Sequence, residues 1–319
     1  MGEKIIVILG PTASGKSTLA VKIALLLNSG QAKKISAVGW NGVEIVSADS
    51  RQVYRGLDIG SGKITKKEMM GIPHHLLDIA SPKQKFTVAQ YQKLANKAID
   101  SIFRRGRIPI ICGGTGFYIR SVIDGIEIPE VKPDWRLRKK LEKETPKKLF
   151  EKLRKMDPRR AKDIDKNNKR RLIRALEIVI KTKKAVPTLK QKPLPCSILI
   201  IGIKKSHQEL EKLIKKRLQK RFRQGMIAEI KKLRKNGISW KRLEELGLEY
   251  RYVAQYLQGK FNKKTMIEKL QKEIEHFAKR QMTWFKKDKR IKWVRNYKQT
   301  EKIIKNFEKK RETFVSPLP

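Results

Sequence analysis

The chain of 319 residues carries 77 Lys+Arg against 31 Asp+Glu, a formal net charge of +46 at pH 7. That excess calls for a polyanionic partner and argues against an ordinary enzyme of small neutral substrates, while 39% hydrophobic residues exclude a wholly disordered chain. Two cysteines, Cys112 and Cys196, cannot make a disulfide framework, and no apolar run approaches the roughly 18 residues of a membrane span, so the expectation is a cytoplasmic protein without membrane association.

Ile5–Leu9 is a short apolar run bounded by glycine, the pattern of a strand buried on both faces, and too short for a signal peptide. A helical period follows over Thr18–Leu27. Further strands are expected at Glu44–Ala48 and Ile108–Cys112, the latter preceded by a helix over Val88–Arg104. From Pro129 to Pro195 strand patterns vanish, and prolines punctuate charged helical segments. Ser197–Ile203 (SILIIGI) is again a buried strand. Helices are expected at 206–224, 226–236 and 263–287, then a short strand at Ile291–Val294 and a charged terminal helix with a Lys-rich, solvated end. The expected fold class is α/β, a P-loop NTPase-like parallel sheet core with a helical insertion domain and a helical C-terminal portion. The core comprises residues 1–128 and 196–319, and the insertion residues 129–195.

The charge divides unevenly. Residues 1–128 hold 18 basic and 9 acidic residues, a net of +9, and the remaining 191 hold 59 and 22, a net of +37. The second portion is therefore where a polyanion would dock, although lysine bias (53 Lys to 24 Arg) accounts for part of the excess as solvated surface.

Gly10, Pro11, Thr12, Ala13, Ser14, Gly15, Lys16 and Ser17 complete the G-x-x-x-x-G-K-[ST] phosphate loop, directly after a strand and opening a helix. Its glycines turn backbone amides toward phosphate oxygens, Lys16 adds a point charge, and the Ser17 hydroxyl is placed to ligate Mg²⁺. Kinases, NTPases and diphosphate-using transferases share this loop, so other strand exits must select the chemistry. Asp49, in Ser47-Ala-Asp-Ser-Arg-Gln-Val-Tyr54, lies at one such exit, as a chemical group, a Mg²⁺ ligand or a helix N-cap. Thr115, in Gly113-Gly-Thr-Gly-Phe-Tyr118, presents a hydroxyl among glycines or caps the next helix. Adjacent His74 and His75 point to opposite faces of a strand, which favours a structural role over a metal pair.

The GPTASGKS loop, SADSRQVYRGLDIG, GIPHHLLDI, GRIPIICGGTGFYI, RRLIRALEI and KRQMTWFKK occur in one order from residue 4 to about 294, and together the chain resembles the tRNA dimethylallyltransferase (tRNA isopentenyltransferase) family, bacterial type. The resemblance implies Mg²⁺-dependent transfer of a dimethylallyl group from dimethylallyl diphosphate to N6 of the adenosine at tRNA position 37, 3′ of the anticodon, by a monomer that grips the anticodon stem-loop. It implies Asp49 as base, with Thr115, Lys16 and Arg221 at the reaction centre, and Arg171 and Arg221 near the diphosphate and the nucleic acid. It also implies tRNA contacts by Asp49, Ser50, Arg51 and Gln52, by Arg170, Arg171, Leu172, Ile173 and Arg174, and by Lys279, Arg280 and Gln281.

An extruded adenine needs basic residues interleaved with aromatics, a pattern met at Lys279–Lys287 and Tyr250–Tyr252. Trp284 is assigned to packing. The chain departs from the family at Ser61-Gly-Lys-Ile64, where members carry Thr-Ala-Lys-Pro, and at Glu249, where many carry Gly. These departures bear on loop contacts, not on the chemistry. Rival readings are an adenylate isopentenyltransferase acting on free nucleotide, which needs no basic second portion, a P-loop small-molecule kinase, and an NTP-gated RNA-binding module in which Asp49 and Thr115 have no task.

Overall fold

The structure is a computed structural model that describes residues 3–29 and 42–309. The Lys-rich end beyond residue 309 lies outside the described residues. Two compact units are present, one of residues 1–124 and 193–319, the other of residues 125–192.

The larger unit is built on a parallel six-stranded sheet in the order β3-β2-β4-β1-β5-β6. Its strands are β1 (Lys4–Leu9), β2 (Val43–Ser47), β3 (His74–His75), β4 (Ile108–Gly113), β5 (Ser197–Ile203) and β6 (Lys292–Val294). Strand β1 lies between β4 and β5, with Ile6 opposite both Ile110 and Leu199, and all its residues are buried. The strand period of two then divides it. Ile5, Val7 and Leu9 join one core, and Ile6 and Ile8 join the core on the opposite face. Each such side chain contributes about 1.5–3 kcal/mol by burial.

Helix α1 (Lys16–Asn28) and α2 (Lys66–Met69) are followed by α3 (Val88–Arg104), which opens at Thr87 with a capping box to Gln90, and by α4 (Gly116–Ile123). Because the strands are parallel, β1, β2 and β4 end on one edge, and their exit loops lie side by side.

In the smaller unit, α5 (Trp135–Leu141), α6 (Pro146–Met156), α7 (Pro158–Asp163) and α8 (Lys169–Thr182) enclose a core that includes Leu141, Leu149, Leu153, Leu172 and Leu176. Its boundaries fall at 125 and 192 rather than 129 and 195 because the two connecting segments pair with each other. Glu127 N donates to Lys190 O and Lys192 N to Gly125 O, which ties both into this unit. At its centre, buried Glu177 accepts from Asp134 N, from Arg138 Nε and Nη2, and from Arg174 Nη1.

The larger unit continues with α9 (His207–Arg223), α10 (Met226–Lys235), α11 (Trp240–Leu246), α12 (Leu248–Leu257), α13 (Lys263–Phe285) and α14 (Tyr297–Lys309). The pair α11 and α12 has no counterpart among the expected helices, because Gly247 breaks the period between two short segments.

Candidate active site

The phosphate loop takes its shape from two residues in the left-handed region, Ala13 (φ 63°) and Gly15 (φ 86°), after which α1 begins at Lys16. Lys16 Nζ donates to Pro11 O at 3.3 Å. Burial pulls the Lys16 pKa below the ordinary ammonium range, partly opposed by the nearby charge of Asp49 and reinforced by Arg217 and Arg221. The buried Ser14 hydroxyl has no hydrogen-bond partner, an orphan polar atom inside a loop suited to phosphate oxygens. Burial pushes the Cys112 thiol up to about 12, an effect that the neighbouring Lys16 and Ser17 oppose.

The exits of β2 and β4 are laced together. Ser50 N donates to Thr115 Oγ1 at 3.1 Å, and Thr115 N to Ala48 O at 3.1 Å. Thr115 precedes α4 without capping it by its side chain, so its hydroxyl serves the junction instead. A side chain at Gly113 would collide with the Ala48 backbone, which is why glycine closes β4 here. Asp49 caps a turn rather than a helix: its Oδ1 accepts from Arg51 N at 2.8 Å and Gln52 N at 3.4 Å. Beneath it Tyr91 stacks on Tyr118, ring centroids 3.9 Å apart, with the buried Tyr91 hydroxyl unpartnered.

The loop after Gly56 is gripped from two sides. Glu229 on α10 accepts from Asp58 N, Ile59 N and Gly60 N at 3.0, 2.6 and 3.1 Å, and from the Tyr250 hydroxyl at 3.1 Å. Arg221 on α9 donates through Nη1 to Gly60 O at 3.0 Å and to Glu249 Oε1 at 2.6 Å, and both ion-pair partners are buried. Lys63 Nζ closes the loop on Tyr54 O, Asp58 and Asp78. Two of the departing residues, Gly62 and Glu249, thereby acquire a reason. Glu249 supplies the counter-charge for Arg221, and a side chain at Gly62 would run into the Arg221 guanidinium.

One further residue of α9, Arg217, donates to Thr12 Oγ1. From α13, Gln281 joins two strand exits with one amide: Thr12 N donates to its Oε1, and its Nε2 donates to Gly114 O, both at 2.8 Å.

A profile described as IPP transferase matches residues 52–288. A tRNA dimethylallyltransferase of Carboxydothermus hydrogenoformans is 42% identical over 95% of this chain and 97% of its own, and one of Acetivibrio thermocellus is 37% identical over 98% of both. This chain belongs to the IPP transferase family. Among solved structures, a tRNA isopentenylpyrophosphate transferase of Bacillus halodurans superposes with a TM-score of 0.68 at 35% identity over 96% of this chain and 95% of that one. A eukaryotic dimethylallyltransferase acting on tRNA superposes at 0.74, with 26% identity over 95% of this chain and 78% of its own. The fold of these relatives is the α/β phosphate-loop architecture described above.

Within this chain, the expected site residues separate. Lys16, Ser17, Asp49, Thr115 and Arg221 all lie on the strand-exit side of the larger unit. Lys279 and Arg280 are exposed on α13, and Arg280 Nη2 approaches Glu273 at 3.7 Å. Gln281, expected on the tRNA surface, is instead buried between Thr12 and Gly114, because it lies on the inward face of α13 with Ala278 and Phe285. Arg51 spends its Nε on Leu246 O and its Nη1 on Ser50 O, and Gln52 Nε2 donates to Gly62 O.

Arg170 and Arg171 are exposed on the first turn of α8, in the smaller unit. The side chains of Leu172 and Ile173 are in that unit's core, one helical face away from the arginines, and Arg174 is bound to Glu177 and to two backbone carbonyls. Tyr250 is buried on Glu229 and cannot serve as a stacking platform, while half-buried Tyr252 packs near Phe261. Sequence reading missed Arg217, Glu229 and the role of Glu249. The only signal for Arg217 is its spacing of four from Arg221 in a basic helix.

Proposed function

We propose that this chain transfers a dimethylallyl group from dimethylallyl diphosphate to N6 of the adenosine 3′ of the anticodon in tRNA, releasing diphosphate. The observation that carries the proposal is the gathering of Lys16, Arg217 and Arg221 around the phosphate loop, with Asp49 and Thr115 on the neighbouring exits. The names and reach of the relatives supply the tRNA substrate.

In the reaction the N6 nitrogen bonds to C1 of the dimethylallyl group while the C1–O bond breaks. The electron pair of that bond leaves with the diphosphate, and the amine's proton passes to Asp49. The phosphate-loop amides and Lys16 face the oxygen on which charge grows, so they stabilise the leaving group without reorganising solvent. Asp49 holds its carboxylate in place by Oδ1 on two backbone amides, and Oδ2 is the oxygen free to take a proton. Thr115 fixes the Ser50 amide and so the Asp49 turn.

The site fits a Mg²⁺ carried by the diphosphate. Ser17 supplies one hard oxygen at the start of α1, and the described residues contain no group of three acidic, His or Cys side chains that would hold a metal unaided. The ion, with Ser17 as its protein ligand, would offset charge on the leaving diphosphate. The RNA-facing groups of this proposal are Arg170 and Arg171 on α8 and Lys279 and Arg280 on α13, all exposed. The protein is assigned to the cytoplasm as a monomer; no helix among the described residues is long and apolar enough to cross a membrane.

Incubation with labelled dimethylallyl diphosphate and, in turn, tRNA, AMP and ATP tests the proposal. Label is expected on tRNA alone. Label on AMP but not on tRNA would overturn it in favour of an enzyme of free nucleotides.

A further inference from the structure

The face that helix α13 buries is apolar at Met266, Leu270, Ile274, Ala278 and Phe285, and polar at Gln281, which is 7% exposed. A buried amide is costly unless both its ends are bonded, and here both are. Its Oε1 accepts from Thr12 N and its Nε2 donates to Gly114 O, each at 2.8 Å. These partners are main-chain groups of two different strand exits, the phosphate loop after β1 and the glycine-rich exit of β4. An amide can join a donor to an acceptor in this way, whereas a carboxylate of the same length would set an oxygen against Gly114 O.

The sequence leaves room for the join. A Cβ at Gly114 would run into Gln281 Nε2, and one at Gly116 into the Trp284 ring, so glycine at both positions lets α13 close on this exit. From Gly114 the linkage runs on toward the base. The next residue, Thr115, accepts from Ser50 N through Oγ1, and Ser50 follows Asp49, whose Oδ1 accepts from Arg51 N and Gln52 N. On the other side, Thr12 belongs to the loop that holds the diphosphate in the proposed reaction. Gln281 therefore lies between the part of the site that carries the leaving group and the part that carries the base.

In that reaction C1 must lie between the leaving oxygen and N6, with the Asp49 carboxylate in reach of the N6 proton. An error of about 1 Å in such an arrangement costs on the order of a hundredfold in rate. We infer that Gln281 is a positioning residue for the transfer: it fixes the phosphate loop against the β4 exit and so sets the distance from leaving group to base. The inference rests on the reaction proposed above, in which Gln281 acts through Thr12 and Gly114 and not by contact with the reacting atoms.

Three variants test it. Q281M keeps the volume and loses both hydrogen bonds, Q281E keeps the acceptor for Thr12 N and loses the donor to Gly114 O, and G114A displaces the amide from the other side. Single-turnover rates at saturating tRNA and dimethylallyl diphosphate are read beside KM for each substrate, calorimetric affinity for inorganic diphosphate, and melting temperature. Q281M is expected to lower the saturated rate about a hundredfold, with diphosphate affinity and the KM for tRNA within about threefold of the wild type. G114A should show the same split to a smaller degree, and Q281E should lose about tenfold in the saturated rate. The melting temperature of Q281M is expected to fall by several degrees, because Thr12 N and Gly114 O lose their partner. A purely structural link would do the same, so the rate decides.

A saturated rate of folded Q281M within about threefold of the wild type, or a loss confined to KM, overturns the inference and leaves Gln281 as a structural link between two loops. Should Q281M not fold, Q281E and G114A are read by the same criterion. Wild-type protein that transfers no dimethylallyl group to tRNA overturns the proposed reaction and this inference with it, whereas wild-type transfer with unimpaired variants overturns this inference alone.

Discussion

Glu177 in the smaller unit and Glu249 in the larger are both buried carboxylates that hold arginine, yet they sit in opposite electrostatic settings. Glu177 binds Arg138 and Arg174, whose side chains stay 24% and 31% exposed, and a backbone amide completes its shell. Every charge there has a partner or water, which is how a helical unit is fastened. Around the phosphate loop the balance is left open, with Arg217 making no ion pair among the described residues and Lys16 pressed below its ordinary pKa by burial.

The largest effect should come from the open side. Asp49→Asn removes the proton acceptor while keeping the turn's hydrogen bonds, so transfer should fall by about 100- to 10,000-fold with diphosphate binding unchanged. Single-turnover rates beside calorimetric titration check both halves, and near-normal turnover would remove Asp49 as the base. Next, Glu249→Ala leaves Arg221 buried without its counter-charge and should cost about 3–5 kcal/mol in urea unfolding. Glu249→Gln, which keeps a hydrogen-bond acceptor for Nη1, should cost less.

Glu44 supplies a pH test of a closed network. Burial alone would raise its pKa, but hydrogen bonds from Arg105, His75 and Arg107 outweigh that and hold the carboxyl at about 2, against 4.5 for the ordinary group. A carboxylate with a depressed pKa stabilises the fold fully above its unfolded value and loses that contribution as pH falls. Stability of roughly 3 kcal/mol should therefore disappear between pH 4.5 and about 2, and Glu44→Gln should flatten that part of the curve. A wild-type profile equal to that of the variant would show that the cluster contributes nothing.

The smallest effect belongs to Glu177→Ala. Its arginines can turn to water, so the loss should be about 1–3 kcal/mol, confined to unfolding of residues 125–192. The KM for dimethylallyl diphosphate should not move. A tenfold rise in that KM would mean that the two regions are not separable in function.

The strands and the phosphate loop were legible because burial writes them in consecutive apolar residues. Ile5–Leu9 and Ser197–Ile203 can only be central strands of a parallel sheet, and the loop's glycines follow directly. Helix α3 begins and ends where its period and cap predict. The pair α11 and α12 was not legible, because each is too short to display a period around Gly247. Tyr250–Tyr252 resembled a stacking platform since aromatic residues look alike in sequence, whether they face RNA or a buried Glu229. The burial of Gln281 was hidden for a similar reason: its neighbours Lys279 and Arg280 are exposed, but helical geometry turns the next residue inward.

From the sequence alone follow the α/β class, the phosphate loop, Asp49 and Thr115 at strand exits, and the resemblance that names the chemistry. These depend on local spacing and on apolar runs, which need no partner to be read. Tertiary structure alone decided which cations are paired with a carboxylate and which face the phosphate loop. Arg217 and Arg221 stand four residues apart in one helix, and only the chain folded back through Glu249, 28 residues from Arg221, neutralises one and leaves the other facing the phosphate loop. Charge balance is a property of three-dimensional neighbours, and no spacing along α9 records it.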